Sequence, residues 1–540
     1  MVSFFGFDWN IYEVIDISFW WAVAIFLVIL FSRKKNLRKK LDREGIIFMY
    51  RTQIGVKFIN YVGDNFKKIL DSLKYVIVSV GLVLMGIVIW MLGKSLSIYI
   101  LRPEVTETIK APPIAPLIPY FPKIFGLEAI FPSFYITYFV ISIAIVAFVH
   151  EFSHGIFMRR FGVKIKSTGT IFIWVVYNWI ILGFFRFFHN KIKLHKTIAI
   201  VLTSLLCFLT LLFAGTIHLV FLILLIMPLL GAFVEEERTS FEKKKNLEQM
   251  TILGAGVFAN IIFALIFYGL YVLFFLTSFT ASGYDFDSYS YSKAPLDLID
   301  DIGVDIGTMD VLVGGNLLQL NLTEVKVDDR TFYIKTETKE FILGEENLSN
   351  FGTILFDKSP ALENNLKGII IKADDTEIIN QNSLGEFLKN TRPGDSIKFT
   401  TLYGAELTEY NLVLGTHPDP EINIGYIGIA HFIPQPKGIL QNFFIKFMSF
   451  KESSTHYEPT WNGANFFLML FWWIMIINLL VALFNMLPLG ILDGGRFFYL
   501  ALLSFTGSEK FSKGAFRFMT YVIGFLFLSM MLIWFIRVVL

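Results

Sequence analysis

Long apolar runs constrain this chain more than any other feature. They fall at 17–32, 75–100, 134–157, 252–278, 463–489 and 515–537, each near the roughly 20 residues that a helix needs to cross a bilayer. A water-soluble domain cannot bury this many such segments in one core. They fix the class as a polytopic α-helical membrane protein. Composition agrees: 55% of the residues are hydrophobic and 17% are charged, against roughly 25% charged in a soluble chain. A further apolar stretch, 197–231, has room for a tight hairpin of two short spans turning near Ala214, Gly215 and Thr216. That brings the expectation to about eight transmembrane helices.

The charges between these runs predict a topology. Asp8, Glu13 and Asp16 precede the first run, and Arg33, Lys34, Lys35, Arg38, Lys39 and Lys40 follow it. This is the pattern of a signal anchor with its N-terminus outside. Segments 33–74, 235–250 and 506–516 are basic and belong inside, as do Arg159, Arg160, Lys164 and Lys166. The Pro-rich segment 101–133 and the polar block 280–460 belong outside. The expected location is a multi-pass protein of the cell membrane, with the lipid bilayer as its surroundings. A formal net charge of +2 gives no basic field for nucleic acid. Cys207 is the one cysteine, so there is no internal disulfide and no CxxC motif. It reads as a buried small hydrophobe. Any metal site must use histidines and carboxylates.

The block 280–460 has the pattern of a separate, β-rich domain. Residues 310–345 alternate apolar and polar positions, the period of strands. Residues 352–430 read as a strand, a short helix, strands, a helix at 383–390, a turn at Arg392 to Asp395, and strands at 396–403 and 408–414. The run YDFDSYSYS at 284–292 reads as a flexible, solvated connector.

The chemistry lies at the end of the third run. FVHEFSHGIF supplies His150, Glu151 and His154 in an HExxH pattern. Residues four apart share a helix face, so both imidazoles can reach one ion. Glu151 stands beside the metal-bound water as a general base. A catalytic Zn2+ takes three protein ligands and keeps one open position, so a third ligand must come from elsewhere. Asp493, in FNMLPLGILDGGR, is a carboxylate inside an apolar stretch that Pro488 and Gly490 break. Gly494 and Gly495 permit close backbone approach there. Two readings stand side by side: Asp493 caps a helix over 494–505, or it completes the metal site. The HExxH segment favours the second.

On these motifs the chain resembles the site-2 protease family of intramembrane zinc metalloproteases. His150, Glu151 and His154 match the family's HExxH. Asn485, Pro488, Asp493 and Gly494 match its Asn-Pro-Asp-Gly segment, and Gly256 and Asn260 match a weaker Gly-x-x-x-Asn element. The resemblance implies one Zn2+ bound by His150, His154 and Asp493, with Glu151 catalytic. It implies Asn485 and Asn260 as groups for substrate or oxyanion, with Gly256, Pro488 and Gly494 supporting the motifs. An amide at Asn260 can also serve only to cross-link helices. The family carries a β-hairpin after HExxH, and 162–173 with 227–237 look like its arms. The 162–173 edge is where a substrate strand would add. The stretch 174–226 between them is an insertion relative to the family. Glu235, Glu236 and Glu237 read as a solvated run.

Residues 352–432 resemble a PDZ domain, which binds peptides by strand addition or filters substrates by size. The expected organisation is therefore N-terminal helices and loops over 1–133, a catalytic membrane core over 134–279, a β-rich segment over 280–351, the PDZ-like domain over 352–432, and the second half of the core over 463–540. The expected function is regulated intramembrane proteolysis of transmembrane protein substrates. Two other classes compete. A transporter or channel with a His/Asp metal site also uses broken helices but has no use for Glu151. A silent scaffold presenting the PDZ-like domain would not need His150, Glu151, His154 and Asp493 together.

Overall fold

The computed structural model describes residues 2–4, 7–33, 41–44, 47–52, 55–102, 117–128, 131–173, 229–328, 330–344, 351–404, 406–431, 442, 446–447 and 449–539. They form two compact units, Met1–Leu273 with Phe466–Leu540, and Phe274–Asn465. The expected insertion 174–226, with its hairpin and Cys207, lies outside the described residues.

Among the described residues, the longer helices of the membrane unit are α1 (Ile11–Arg33), α2 (Val56–Asn65), α3 (Lys67–Leu101), α4 (Ile136–Arg160), α5 (Asn246–Ser278), α6 (Ala464–Asn485), α7 (Asp493–Thr506) and α8 (Glu509–Trp534). Among the described residues, five helices are long and apolar enough to span a bilayer, namely α3, α4, α5, α6 and the segment Glu509–Arg537. The expected eight spans are thus not all accounted for. The first apolar run forms α1, which is not among the five, and the hairpin run is mostly undescribed.

Local sequence explains where the key helices begin and end. Asn10 and Glu13 bond each other's backbone N–H at 2.9 and 2.8 Å, a reciprocal box that opens α1. At the other end of α4, Gly162 takes a positive φ of 68°. Its N–H bonds the Arg159 carbonyl, and the Val163 N–H bonds that of Met158. This double closure needs a glycine at that position. Helix α6 stops at Asn485 and α7 starts at Asp493, so Pro488 and Gly490 do break the apolar run.

Segment 33–74 is not simply a basic loop. It contributes α2 and two strands, β1 (Leu41–Glu44) and β2 (Ile47–Thr52). These join β3 (Ile165–Ile173) and β4 (Leu229–Glu236) in an antiparallel sheet of order β1-β2-β3-β4. The 162–173 and 227–237 segments therefore pair as expected. The expectation of a substrate-accepting edge at 162–173 needs correction. β3 is flanked by β2 and β4, so its backbone is paired on both sides, and among the described residues β1 and β4 are the edge strands. The reason lies in residues 47–52, distant in sequence, which carry no signal for their partner. α2 packs across α4: Ile59 sits against Gly155, and Arg159 makes a two-pronged bond to Asp64 of α2 while Arg160 makes one to Asp71 of α3.

The second unit contains two larger sheets. Its main strands are β5 (Phe279–Tyr284), β6 (Tyr291–Pro295), β7 (Asp301–Val313), β8 (Asn316–Val327), β9 (Arg330–Lys335), β10 (Gly352–Asp357), β11 (Ile369–Ala373), β12 (Ser396–Tyr403), β13 (Glu406–Val413) and β14 (Thr455–Pro459). One sheet runs β7-β8-β9-β10-β6 and the other β13-β12-β11-β5-β14. β7 and β8 meet at a two-residue turn, Gly314-Gly315, with positive φ at both residues. That is the turn type whose twist matches a hairpin. The helix Gln381–Leu388 and the strands after it agree with the sequence pattern. The run 284–292 is the correction here. Tyr284, Phe286, Ser288 and Tyr289 are buried, and Ser288–Tyr289 pairs with Ile429–Ala430. The aromatics outweigh the polar residues between them, because each large ring removed from water contributes more than a solvated hydroxyl loses.

Candidate metal centre

The inward face of α4 sets the site. Phe139, Ser142, Val146, Val149, His150, His154 and Phe157 are buried, at the three- and four-residue steps of one helix stripe. Both histidines thus point into the protein rather than toward lipid. Asp493 is the first residue of α7, and Leu492, the residue before it, makes no side-chain cap. The carboxylate is turned to the imidazoles instead. Its Oδ2 lies 3.1 Å from Nε2 of His150 and 3.3 Å from Nε2 of His154. One ligand atom from each of the three residues lies within 4.8 Å of the others. Two ligands of a tetrahedral Zn2+ with bonds of about 2.0–2.1 Å stand roughly 3.3 Å apart, so these separations fit. The Asp493 carboxylate thus stands at the imidazoles, where a metal ligand would be.

The glycines shape this cluster. A Cβ on Gly256 of α5 would stand 2.6 Å from Nε2 of His154 and 2.7 Å from Cε1 of His150. Only hydrogen at this position lets α5 close over both rings. Gly494 and Gly495 lie against the backbone of Met486, Leu487 and Leu489, so α7 starts directly on the turn that precedes it. Phe497, one turn on, fills the space beside Gly81 of α3 and Gly254 of α5, and it is fully buried.

Hydrogen bonds behind the rings orient them. Nδ1 of His154 lies 2.6 Å from the Ile252 carbonyl. A carbonyl can only accept, so Nδ1 carries the proton and Nε2 offers its lone pair to the cluster. Asn260 is fully buried, and its amide lies 3.1 Å from Nδ1 of His150. Its Oδ1 has no hydrogen-bond partner among the described residues. The atom nearest Nδ1 is the amide nitrogen; rotating the amide by half a turn would bring the unpartnered Oδ1 to accept the Nδ1 N–H and leave Nε2 of His150 for a metal. Asn260 thus stands behind a ring, away from the side where a substrate would meet the ion. Asn485, by contrast, lies 3.4 Å from Nε2 of His150, on the metal-facing side.

Glu151 follows His150 on α4. Its Oε2 accepts the Val234 N–H at 3.1 Å, a contact from β4 that the sequence pattern did not foreshadow. Of the three consecutive acids after β4's core, Glu237 faces Lys164 at 3.9 Å. It belongs to no metal cluster among the described residues.

These residues fit a catalytic metal centre with two imidazoles, one carboxylate and a neighbouring carboxylate base. No curated protein matches the chain. A family model described as peptidase family M50, the site-2 protease family, matches residues 138–531. The match spans well over half of the 540 residues and contains both halves of the metal cluster. With several helices apolar enough to cross a bilayer and a His-His-Asp cluster between them, the chain belongs to peptidase family M50 and is an integral membrane metallopeptidase.

Proposed function

We propose that the protein is a zinc-dependent intramembrane protease that hydrolyses peptide bonds of transmembrane protein substrates. The observation that carries this reading is the convergence of Nε2 of His150 and Nε2 of His154, on a helix long and apolar enough to cross a bilayer, with Oδ2 of Asp493 at 3.1 and 3.3 Å.

His150, His154 and Asp493 would hold the ion. Bound zinc would polarise the scissile carbonyl and acidify a water molecule. Glu151 takes the water's proton and delivers it to the leaving amine. Asn485 donates its amide to the oxygen that gains charge on the substrate. Asn260 holds His150 through Nδ1.

A transmembrane substrate arrives as a helix whose carbonyls are bonded within it, so the cleaved segment must unwind. Replacement backbone bonds come from β4, which is an edge strand among the described residues and also touches Glu151. The second unit, with its PDZ-like part at 352–432, lies outside the cell membrane. It either captures a substrate peptide or filters substrates by size, so that only trimmed membrane stubs reach the site. The site opens toward the cytosol, in line with the basic residues that end α4.

The test is a full-length protein in lipid nanodiscs with a transmembrane reporter. Glu151→Gln is expected to keep zinc and lose cleavage. Asp493→Ala is expected to lose both. Undiminished cleavage by Glu151→Gln would remove the protease reading and leave a metal site without hydrolysis.

A further inference from the structure

Where an antiparallel pair does not exchange hydrogen bonds, both residues turn N–H and C=O away from each other. Val234 of β4 stands opposite Thr168 of β3, and its N–H goes to Glu151 rather than into the ladder. Val234 is therefore one of the outward-turned residues of the edge. By the two-residue alternation of a strand, Ala232 and Leu230, opposite Thr170 and Phe172, turn outward as well. Gly231 and Phe233 turn inward and hold β4 to β3. The outward backbone is thus divided. The Val234 N–H serves the enzyme's own carboxylate, while Ala232 and Leu230 present theirs away from the sheet.

We propose that the main-chain N–H of Val234 is the positioning donor for Glu151, and that it sets the docking register, with extended substrate bonding β4 at Ala232 and Leu230. This rests on the protease reading above. The physical reason is the freedom of the glutamate side chain. Glu151 has three rotatable bonds, and a carboxylate swinging through them spends little time beside the water. Tying Oε2 to a strand fixes the group and leaves Oε1 to receive the proton. Because the same strand carries the substrate, peptide and base are placed by one rigid element. A shift of β4 on docking would move both together.

Proline gives a selective test. It removes an N–H, and in an edge strand it is tolerated where that N–H is outside the ladder. Residue 233, which precedes it, is already extended, as proline requires. In full-length protein in nanodiscs, Val234→Pro is expected to lower kcat by about tenfold or more, with KM within about threefold and zinc content unchanged, the signature of an interaction used in the transition state. Ala232→Pro is expected to raise KM by about fivefold or more and largely keep kcat. Wild-type kcat in Val234→Pro, or a loss confined to KM, overturns the proposal.

Residue-resolved hydrogen exchange gives a second measurement that needs no proline. The Val234 amide is expected to exchange at least about tenfold more slowly than that of Ala232, and Glu151→Ala is expected to abolish the difference. Equal exchange at Val234 with and without the Glu151 carboxylate overturns the positioning role. A dead Glu151→Gln with a fully active Val234→Pro rejects this inference alone, whereas an active Glu151→Gln rejects the protease reading beneath it.

Discussion

Asn260 and His150 meet in the buried centre of the membrane unit, the amide nitrogen 3.1 Å from Nδ1 and the amide oxygen without a hydrogen-bond partner among the described residues. A metal-binding imidazole needs its second nitrogen held, because that bond selects the tautomer and the ring plane. Asn260→Ala is expected to weaken zinc binding by roughly 10–100-fold, the usual effect of losing such a partner. Asn260→Asp, which keeps an acceptor, is expected to recover part of it. Chelator competition on the full-length protein measures both. Unchanged affinity in Asn260→Ala would return the residue to a packing role.

The metal cluster was legible in the sequence for a local reason. His150 and His154 are four residues apart, and a helix alone brings them to one face. Asp493 was legible because a carboxylate in an apolar run must have a reason to be there. The partner of Asn260 was not. A buried amide announces that it is bonded but not to what. The edge of the sheet was also hidden, since β2 reaches β3 across more than a hundred residues and nothing in IFMYRT names its neighbour. Likewise the Val234 N–H is a backbone group, and backbone groups have no letter in the sequence. The aromatic run at 284–292 misled because its hydroxyls and carboxylates mask how much ring surface it has to bury.

Gly256 makes a sharper demand. Its Cβ would fall 2.6 Å from a ligand nitrogen of His154, and neither ring can retreat without leaving Asp493. Gly256→Ala is expected to fold with its helices intact, as alanine favours helix by about 1 kcal/mol over glycine, yet to lose bound zinc and cleavage. Elemental analysis after size-exclusion chromatography, with circular dichroism for helix content, checks this. A zinc-replete Gly256→Ala would show that the rings sit further from α5.

Gly495 tests the other half of the site. The position is enclosed by the backbone at Leu489 and Gly490, which cannot swing aside as a side chain can. A methyl group must push the start of α7 away and carry Asp493 with it. Overpacking of this kind costs about 1–3 kcal/mol, and a carboxylate displaced by even one ångström leaves the distances that zinc accepts. Gly495→Ala is expected to lose zinc before it loses fold. Exposed Gly514 of α8, with open space where a Cβ would stand, is the control. Gly514→Ala is expected to keep full zinc content.

The HExxH helix is held at its far end by a carboxylate from another helix. Tyr135, which precedes α4, offers no side-chain cap. The cap comes from α1: Asp16 accepts the N–H of Ile136 at 2.7 Å and that of Thr137 at 3.2 Å. It also accepts the hydroxyls of Tyr120 and Thr137. Beside it, Glu13 pairs with Lys123 at 2.7 Å. A carboxylate here bonds the open N–H groups and faces the positive end of the helix dipole. Asp16 is 8% exposed, so water cannot replace these bonds cheaply. Asp16→Ala is expected to destabilise the protein by about 1–2 kcal/mol, read as a lower thermal midpoint in nanodiscs. Asp16→Asn, which still accepts but carries no charge, is expected to fall between. Zinc affinity at low temperature is expected to stay near wild type, because the cap lies roughly 21 Å along α4 from His150 at 1.5 Å per residue. An unchanged midpoint in Asp16→Ala would mean that α1 rests on the catalytic helix without securing it.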